Sequence, residues 1–187
     1  MTEKLTLRKS MKTALKGLKQ DDMTRQQDAV NDLLTRFLAA KGFRRALFYV
    51  PIQNEISPMA AMERFHAGGG EVYLPVCTSR DEMLVKKWNG QDCADCDAMG
   101  VPAPLDGELL GDMSALDCVI VPALAFTSIG ARLGRGAGFY DKFLNALPES
   151  VLRIGLAWNQ QVLPRIPLEY HDAAVNIVLF ENAHIHI

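Results

Sequence analysis

Hydrophobic positions in the first forty residues recur at helical spacing. Between residues 4 and 19, apolar residues three and four apart form one stripe along a helix. A second stripe carries basic residues four apart: Lys4, Arg8, Lys12 and Lys16. The same apolar spacing recurs over about residues 24 to 40. The chain is therefore predicted to begin with two amphipathic helices.

Short apolar runs further along the chain are typical of buried strands. Between the first two runs, Ser57 and Pro58 favour a helix start, and Gly68 to Gly70 favour its end. Another helix is predicted over about residues 138 to 147. The strands are predicted at about residues 46–50, 71–75, 82–88, 117–121, 152–157 and 175–180. This alternation predicts an α/β class, a single-domain layered fold with a largely parallel sheet flanked by helices.

Composition fits a small globular protein and argues against two classes of partner. The 187 residues, 49% of them apolar, can form one domain with a sizeable core, and no repeat or linker divides residues 1 to 187. Twenty basic and 22 acidic side chains leave a formal charge of −2, so no overall field recruits nucleic acid or an acidic membrane. The N-terminus lacks the apolar core of a secretory signal, which predicts a cytoplasmic location. No obligate protein partner is evident.

The spacing of the four cysteines is not that of a disulfide framework. Cys93 and Cys96 make a C-x-x-C pair within residues 89 to 116, which lack a clear period and are predicted to form a long loop. Neighbouring aspartates disfavour thiolates, and no second close pair completes a zinc site, so a polar loop is favoured over metal or redox chemistry. His184 and His186 indicate a frayed last strand more than a metal site.

A glycine-rich segment before residue 141 carries the clearest chemical signal. Its alternating glycines allow backbone N–H groups to turn toward an anion, and its two arginines present forks that match phosphate oxygens. An aspartate that follows, in the first turn of a predicted helix, is a candidate Mg²⁺ ligand. These residues are Arg132, Gly134, Arg135, Gly136, Gly138 and Asp141. The alternative is an ordinary turn with surface arginines and a helix-start aspartate.

Two common phosphate loops are excluded by spacing. A P-loop requires lysine followed by Ser or Thr after its glycines, which this segment lacks. A dinucleotide-binding loop follows its strand at once, whereas the predicted strand at Cys118 to Val121 lies about a dozen residues before Gly134. A long loop and a ligand other than NAD are therefore predicted.

The segment resembles the 5-formyltetrahydrofolate cyclo-ligases, also called methenyltetrahydrofolate synthetases. Their pattern is roughly P-G-L-A-F-D, a spacer and R-L-G-x-G-x-G-[YF]-Y-D, and residues 122–126 and 132–141 follow it. Further blocks match in the same order: Lys4 with Leu7 and Arg8, then Glu55, then Pro167-x-Glu169-x-His171-Asp172. The chain departs from the family pattern at Ala103, Thr127, Ala137 and Asn176.

The resemblance implies an ATP site made from two parts of the chain. Lys4 and Arg8 lie one helical turn apart and would both contact ATP, although basic residues on a first helix are more often simply solvated. The main nucleotide loop would comprise Arg132, Leu133, Gly134, Arg135, Gly136, Ala137, Gly138, Phe139 and Tyr140.

The resemblance also implies a folate site, a metal site and catalytic residues. Asp141 and Asp172 would hold Mg²⁺, and Arg135 and Tyr140 would be catalytic. Without the resemblance, a solvated loop acid is the favoured interpretation of Glu55. Because ligands lie beyond the carboxyl ends of strands in open α/β sheets, the loops carrying Glu55, the glycines and Asp172 are expected to converge. The folate residues would be Val50, Glu55, Arg135, Gly136, Ala137, Gly138 and Phe139.

The implied reaction is ATP-dependent closure of 5-formyltetrahydrofolate to 5,10-methenyltetrahydrofolate. Transfer of the γ-phosphoryl group to the formyl oxygen would make the carbon electrophilic and the oxygen a good leaving group. Such transfer depends on positioning and charge neutralisation more than on a protein nucleophile. The alternatives are a non-catalytic nucleotide or phospho-metabolite binding module on the same fold and, less favoured, a nucleic-acid binder that uses the basic stripe.

Overall fold

The structure, a computed structural model, describes residues 2–79, 82–181 and 183–186, the last four by their backbone alone. The helices are α1 (Glu3–Lys16), α2 (Gln20–Lys41), α3 (Met59–Ala67) and α4 (Phe139–Ala146). The strands are β1 (Arg45–Leu47), β2 (Glu71–Cys77), β3 (Met83–Lys87), β4 (Cys118–Val121), β5 (Ala125–Thr127), β6 (Arg132–Leu133), β7 (Leu152–Leu156), β8 (Val162–Leu163), β9 (Ile177–Phe180) and β10 (Ala183–His186).

The main sheet has the order β10-β9-β7-β4-β1-β2-β3. Its five inner strands run parallel, while β3 and β10 pair antiparallel at the two edges. The predicted fold class, an α/β layered fold with a largely parallel sheet flanked by helices, is confirmed. The last strand, which contains His184 and His186, pairs with β9 along its four residues.

Helices cover both faces of this sheet. On one face, α1, α2 and α3 pack through side chains such as Leu34 and Met62. On the other face, α4 packs through Leu144. Successive residues of a strand point to opposite faces, so Ala46 belongs to the first core and Leu47 to the second. Burial of each leucine stabilises the fold by about 1.5 to 3 kcal/mol relative to exposure.

The two N-terminal helices differ from the prediction at their junction. The first ends at Lys16, where the Gly17 N–H donates to the Ala14 carbonyl and the Leu18 N–H to the Leu15 carbonyl. The second begins at Gln20, four residues earlier than predicted, and ends where Gly42 adopts a left-handed φ of 66°.

The predicted start of the third helix is wrong by one position. Pro58 occupies the cap position, and the helix begins at Met59, whose N–H donates to the Ser57 hydroxyl at 3.4 Å. The predicted end before Gly68 is confirmed. The first strand is also shorter than predicted, although the Phe48 N–H still donates to the Tyr73 carbonyl at 2.9 Å.

A small sheet of order β6-β5-β8 was not predicted. Its first two strands form an antiparallel hairpin between β4 and the glycine-rich segment, and Phe126 pairs with Arg132. The predicted long open loop after Val121 is therefore wrong, because much of that connection is paired. Strands of two or three residues are too short to show a periodic pattern in the sequence.

The predicted long loop at residues 89 to 116 contains only a 3-10 turn, Met113–Ala115, and isolated bridges. Its cysteines are free, and burial, followed by the charge of Asp92, raises the pKa of the Cys93 thiol. This direction agrees with the prediction that a thiolate is disfavoured at this pair. Across the described ranges, no helix is both long and apolar enough to span a bilayer.

Candidate functional site

The candidate site lies where the order of the main sheet reverses. Strands β1 and β4 are adjacent, and the chain continues from them toward opposite edges of the sheet. Ligands bind beyond the carboxyl ends of the strands at such a switch point. The segment after β1 carries Glu55, and the hairpin after β4 leads into the glycine-rich segment. A cavity of about 310 Å³ lies between them.

Glu55 is held by a tight turn after β1. Its N–H donates to the Ile52 carbonyl at 3.2 Å, and the Ile52 N–H donates to its carboxylate at 2.9 Å. The two central residues, Gln53 and Asn54, have φ values of 32° and 56°. Burial raises the pKa of Glu55, although the Ile52 N–H and Arg135 both oppose that rise. The structure thus places a desolvated carboxylate on the cavity wall, not a solvated loop acid.

Arg135 joins the glycine-rich segment to this turn. Its Nε donates to Glu55 at 2.7 Å, and its Nη2 donates to the carbonyls of Ile52 and Gln53 at 3.1 and 2.9 Å. Arg135, which was predicted to contact phosphate, is therefore paired with Glu55, which was predicted to contact folate.

The glycine-rich segment uses its glycines in two different ways. Gly136 and Gly138 have φ values of 114° and 74°, a region that side chains rarely adopt. Gly134 instead permits close packing, because a Cβ atom there would lie 3.1 Å from a guanidinium nitrogen of Arg132. Arg8 Nε donates to the Gly134 carbonyl at 3.0 Å, so α1 also holds the segment.

Arg132 is oriented differently from Arg135. It lies in β6 with its side chain 2% exposed, and its Nη2 donates to Asp141. The Ala173 N–H donates to the same Asp141 oxygen at 3.2 Å. Tyr140, beside this pair, has a pKa raised by burial and then by Glu55, so its phenol stays protonated at neutral pH.

Lys4, near the start of the chain, forms an ion pair with Asp172, 168 residues away. The Lys4 ammonium lies 2.7 and 2.6 Å from the two Asp172 oxygens and 3.3 Å from Glu169. Burial by itself raises the pKa of Asp172, but the hydrogen bonds from Lys4 and from the Glu169 N–H outweigh it, so the pKa is lowered. The glycine-rich segment contacts both other loops, since Arg135 binds Glu55 and Asp141 accepts from the Ala173 N–H beside Asp172. The acids of the three loops are each paired with a cation.

A second depression, of about 390 Å³, lies along α1. Five cationic side chains border it, and among the described residues that line it there is no acid. The lining residues are Leu5, Arg8, Lys9, Lys12, Thr13, Lys16 and Arg135. We call this surface the basic groove. Arg135 borders both the basic groove and the cavity that holds Glu55.

The Mg²⁺ implied by the sequence fits the two aspartates unequally. Mg²⁺ usually takes one or two carboxylates together with phosphate oxygens and water. Asp141 borders the cavity and makes its protein contacts through Oδ1, which leaves Oδ2 for an ion. Both Asp172 oxygens contact Lys4, so Asp172 could bind an ion only after Lys4 moves. Glu169, His171 and Asp172 are close enough to hold a metal, but Lys4 already supplies a cation to the two acids.

Most of the sequence-predicted residues border one of these two depressions. The exceptions are Lys4, Leu133, Gly136 and Asp172, which line neither. Leu133 lies in the core with its backbone paired to β5, so its side chain is not available to a nucleotide. The cavity is lined by these predicted residues: Val50, Glu55, Arg132, Gly134, Arg135, Ala137, Gly138, Phe139, Tyr140 and Asp141.

Sequence reasoning did not identify the rest of the cavity wall. Apolar side chains from β3 and the long loop form an apolar part of this wall, among them Met83, Met99 and Val101. Cys77 also lines it, with a pKa raised to about 11 by burial and by Asp97. These residues come from distant segments and share no motif, so no signal in one sequence could have grouped them.

Comparison with known proteins places the chain in a family. Residues 1–181 match the model of the 5-formyltetrahydrofolate cyclo-ligase family. The chain belongs to that family, which confirms the resemblance noted from its four sequence blocks.

Individual relatives carry the same description. A 5-formyltetrahydrofolate cyclo-ligase of Mycolicibacterium smegmatis is 34% identical over 73% of this chain and 73% of its own. The Saccharomyces cerevisiae 5-formyltetrahydrofolate cyclo-ligase is 26% identical over 100% of this chain and 99% of its own. The structure of Aquifex aeolicus 5,10-methenyltetrahydrofolate synthetase superposes with a TM-score of 0.87 at 25% identity, covering 99% of this chain and 93% of that one.

Proposed function

We propose that this protein is a 5-formyltetrahydrofolate cyclo-ligase, which uses ATP and Mg²⁺ to convert 5-formyltetrahydrofolate to 5,10-methenyltetrahydrofolate with release of ADP and phosphate. The observation that carries the proposal is the position of Arg135, which borders both the cavity that holds Glu55 and the basic groove. One guanidinium can therefore contact two substrates where they meet.

The folate is proposed to occupy the cavity. A pterin edge presents adjacent N–H donors, and one carboxylate can accept two of them, so Glu55 would orient the ring. The remaining proposed contacts come from the cavity wall and the glycine-rich segment: Val50, Arg135, Gly136, Ala137, Gly138 and Phe139. The apolar part of the wall near Met83 and Met99 suits the aromatic portion of the substrate.

ATP is proposed to lie with its phosphates between the basic groove and the glycine-rich segment. Arg8 already contacts the backbone of that segment, and Lys4 lies on the same helix. Guanidinium forks match phosphate oxygens, and backbone amides beside positive-φ glycines form an anion-binding concavity. The proposed ATP contacts are Lys4, Arg8, Arg132, Gly134, Arg135, Gly136, Ala137, Gly138, Phe139 and Tyr140. Leu133, predicted with them from the sequence, is buried with its backbone paired to β5, so it would hold the segment in place.

The chemistry begins when the γ-phosphoryl group passes from ATP to the formyl oxygen, which breaks the bond to ADP and forms an oxygen–phosphorus bond. N10 of the folate then attacks the activated carbon and loses its proton, and the former formyl oxygen departs with the phosphate. Arg135 would neutralise charge on the transferred group. The protonated Tyr140 phenol can donate a hydrogen bond nearby but cannot serve as a base at neutral pH.

Mg²⁺ would neutralise phosphate charge in this site. Asp141 is proposed as its principal protein ligand. Asp172 is proposed as a second ligand, which requires its pair with Lys4 to open, so that Lys4 would be free to contact phosphate as Mg²⁺ approaches the carboxylate. In this exchange each anion would have a cation beside it.

The direct test is a spectrophotometric assay. Purified protein, 5-formyltetrahydrofolate, ATP and Mg²⁺ should give the absorbance of methenyltetrahydrofolate, with ADP and phosphate formed in equal amounts. Omission of any one reactant should abolish the signal. ATP binding without folate-dependent turnover would instead support the non-catalytic nucleotide module. A cytoplasmic location and the absence of nucleic-acid, membrane or obligate protein partners remain predictions from the sequence.

A further inference from the structure

The turn that carries Glu55 depends on contacts from outside itself. Its central residues, Gln53 and Asn54, both have positive φ values and neither is glycine. Such conformations persist only where surrounding structure holds them. All three carbonyls before Glu55 are hydrogen-bonded by other segments: Ile52 and Gln53 by Arg135, and Asn54 by Trp158.

The bond from Trp158 comes from the core. Trp158 lies two residues after the end of β7 and is wholly buried, and its indole N–H donates to the Asn54 carbonyl at 2.7 Å. A buried indole N–H needs such a partner. The backbone of Trp158 is fixed in turn by buried Gln161, whose carboxamide oxygen accepts its N–H at 2.8 Å while the amide nitrogen donates to Ala123 at 2.8 Å.

The hydrogen bonds from Arg135 to the turn come from a partly exposed side chain and not from the core. They come from a segment with left-handed glycines, and the arginine side chain is 24% exposed. In the proposed reaction Arg135 faces the transferred phosphoryl group, and reorientation toward that group would remove its bonds to Ile52 and Gln53. The bond from Trp158 does not depend on either substrate, so it can hold the turn throughout the cycle.

We infer that Trp158 is a positioning residue for the folate: through the Asn54 carbonyl it fixes the turn that aims the Glu55 carboxylate into the cavity. The inference rests on the proposed function, because it assumes that Glu55 binds folate. Trp158 acts through the turn and does not itself line the cavity. Loss of its N–H should therefore weaken folate binding more than it slows the chemical step.

The test compares the same substitution at the two tryptophans of the chain. Trp88 is the matched control, since it is also buried and donates its indole N–H to a loop carbonyl, that of Gln91. Trp158→Phe should raise the KM for folate about 5- to 10-fold while kcat at saturating folate and the Kd for ATP measured without folate stay unchanged. Trp88→Phe should leave all three values unchanged.

A second variant separates loss of the N–H from a packing defect or a failure to fold in Trp158→Phe. In the Trp88→Phe background, growth on β-(3-benzothienyl)alanine replaces the remaining indole by a ring of nearly the same shape that lacks the N–H. The same rise in folate KM is expected.

Wild-type kinetics for folate in Trp158→Phe or in the benzothienyl-substituted protein would overturn the inference, as would a lower kcat with unchanged KM in either of these two. A wild-type protein without folate-dependent turnover would instead overturn the proposed function.

Discussion

Arg132 and Arg135 lie three residues apart, yet they belong to two different regions of the site. The Arg132 side chain is 2% exposed and paired with Asp141, and Lys4 and Asp172 form a similarly buried pair. Arg135 is 24% exposed and paired with Glu55 at the cavity wall. We call these the inner and outer pairs. Both regions satisfy their charges internally, but the guanidinium of the outer pair is far more exposed to solvent than the cations of the inner pairs.

The inner and outer pairs differ in what they contribute to folding stability and to substrate binding. Removing one member of a buried pair leaves an uncompensated charge in a low-dielectric environment, which costs far more than the pair contributes as a whole. A pair whose cation is partly exposed contributes less to folding, because water and salt already interact with that cation. The inner pairs should therefore govern stability, and the outer pair should govern substrate binding and turnover.

The largest expected effect is on stability at the inner region. Arg132→Ala should lower the free energy of unfolding by about 3 kcal/mol or more, because Asp141 loses its cation while remaining largely buried. Urea denaturation followed by circular dichroism measures this. Arg165→Ala is the control, since Arg165 is 88% exposed and its ion pair spans 3.9 Å. Equal stability of the Arg132 variant and the wild type would remove the distinction between the two regions.

The next effect is on turnover at the outer region. Arg135→Ala should lower kcat by about 10²-fold or more, because charge on the transferred phosphoryl group loses its guanidinium. The free energy of unfolding should fall less than in Arg132→Ala, because Arg135 is 24% exposed and Arg132 only 2%. Steady-state kinetics and urea denaturation of the same preparation separate the two. Arg64→Ala, which removes an exposed arginine paired with Asp32, is the matched control. Near wild-type turnover would exclude Arg135 from the mechanism.

Glu55→Gln tests the other half of the outer pair. A glutamine sets an N–H against a pterin donor, a mismatch that costs roughly 1 to 3 kcal/mol in a buried site, so folate affinity should fall about 5- to 100-fold. ATP affinity measured without folate should remain unchanged. Calorimetric titration with each ligand decides this. An equal loss for ATP, or no loss for folate, would contradict the assignment of Glu55 to the folate.

The pKa of Glu55 gives the same assignment a pH dependence. Burial raises that pKa, and the carboxylate must be ionised to accept two N–H groups. Folate KM should therefore rise as the pH falls through a value above that of an ordinary glutamate. The Glu55→Gln variant should lack this step, and a step of the same size in both proteins would assign it to another group.

The smallest expected effects concern the metal. Asp141→Asn should raise the Mg²⁺ concentration for half-maximal activity several-fold, because Asp141 borders the cavity and has an oxygen to offer. Asp172→Asn should raise it less, because in the free protein Asp172 is bound to Lys4. Activity titrations with Mg²⁺ at saturating ATP measure both. An unchanged titration for Asp172→Asn would leave that residue with the role of positioning Lys4.

The pair between Lys4 and Asp172 also has a pH signature. The pKa of Asp172 is lowered in the folded protein, so its contribution to stability is present above the pKa of an unfolded aspartate and is lost as the pH falls through the folded value. Asp172→Asn should therefore destabilise the protein at neutral pH, and its deficit relative to the wild type should shrink in acid.

Local patterns explain which parts of the fold could be predicted. The apolar spacing of α1 and α2 and the runs that became β4 and β7 depend on near neighbours in sequence, so periodicity located them to within a few residues. The hairpin of β5 and β6 was missed because its short strands exist only through pairing, and β8 joins them from a distant segment. The glycine-rich segment was recognised because its chemistry is contiguous, whereas Trp158 lies 104 residues from its partner Asn54.

The sequence by itself determined the chemical inventory of this protein: the amphipathic helices, the apolar strands, and the order of the basic, acidic and glycine blocks. Only the tertiary structure decided which charges meet, since Lys4 lies 168 residues from Asp172 and Arg135 lies 80 residues from Glu55. It also decided which cations are buried and which is partly exposed. The reason is that periodicity reflects contacts between near neighbours, while the strength of a charge pair depends on the dielectric environment that distant segments build around it.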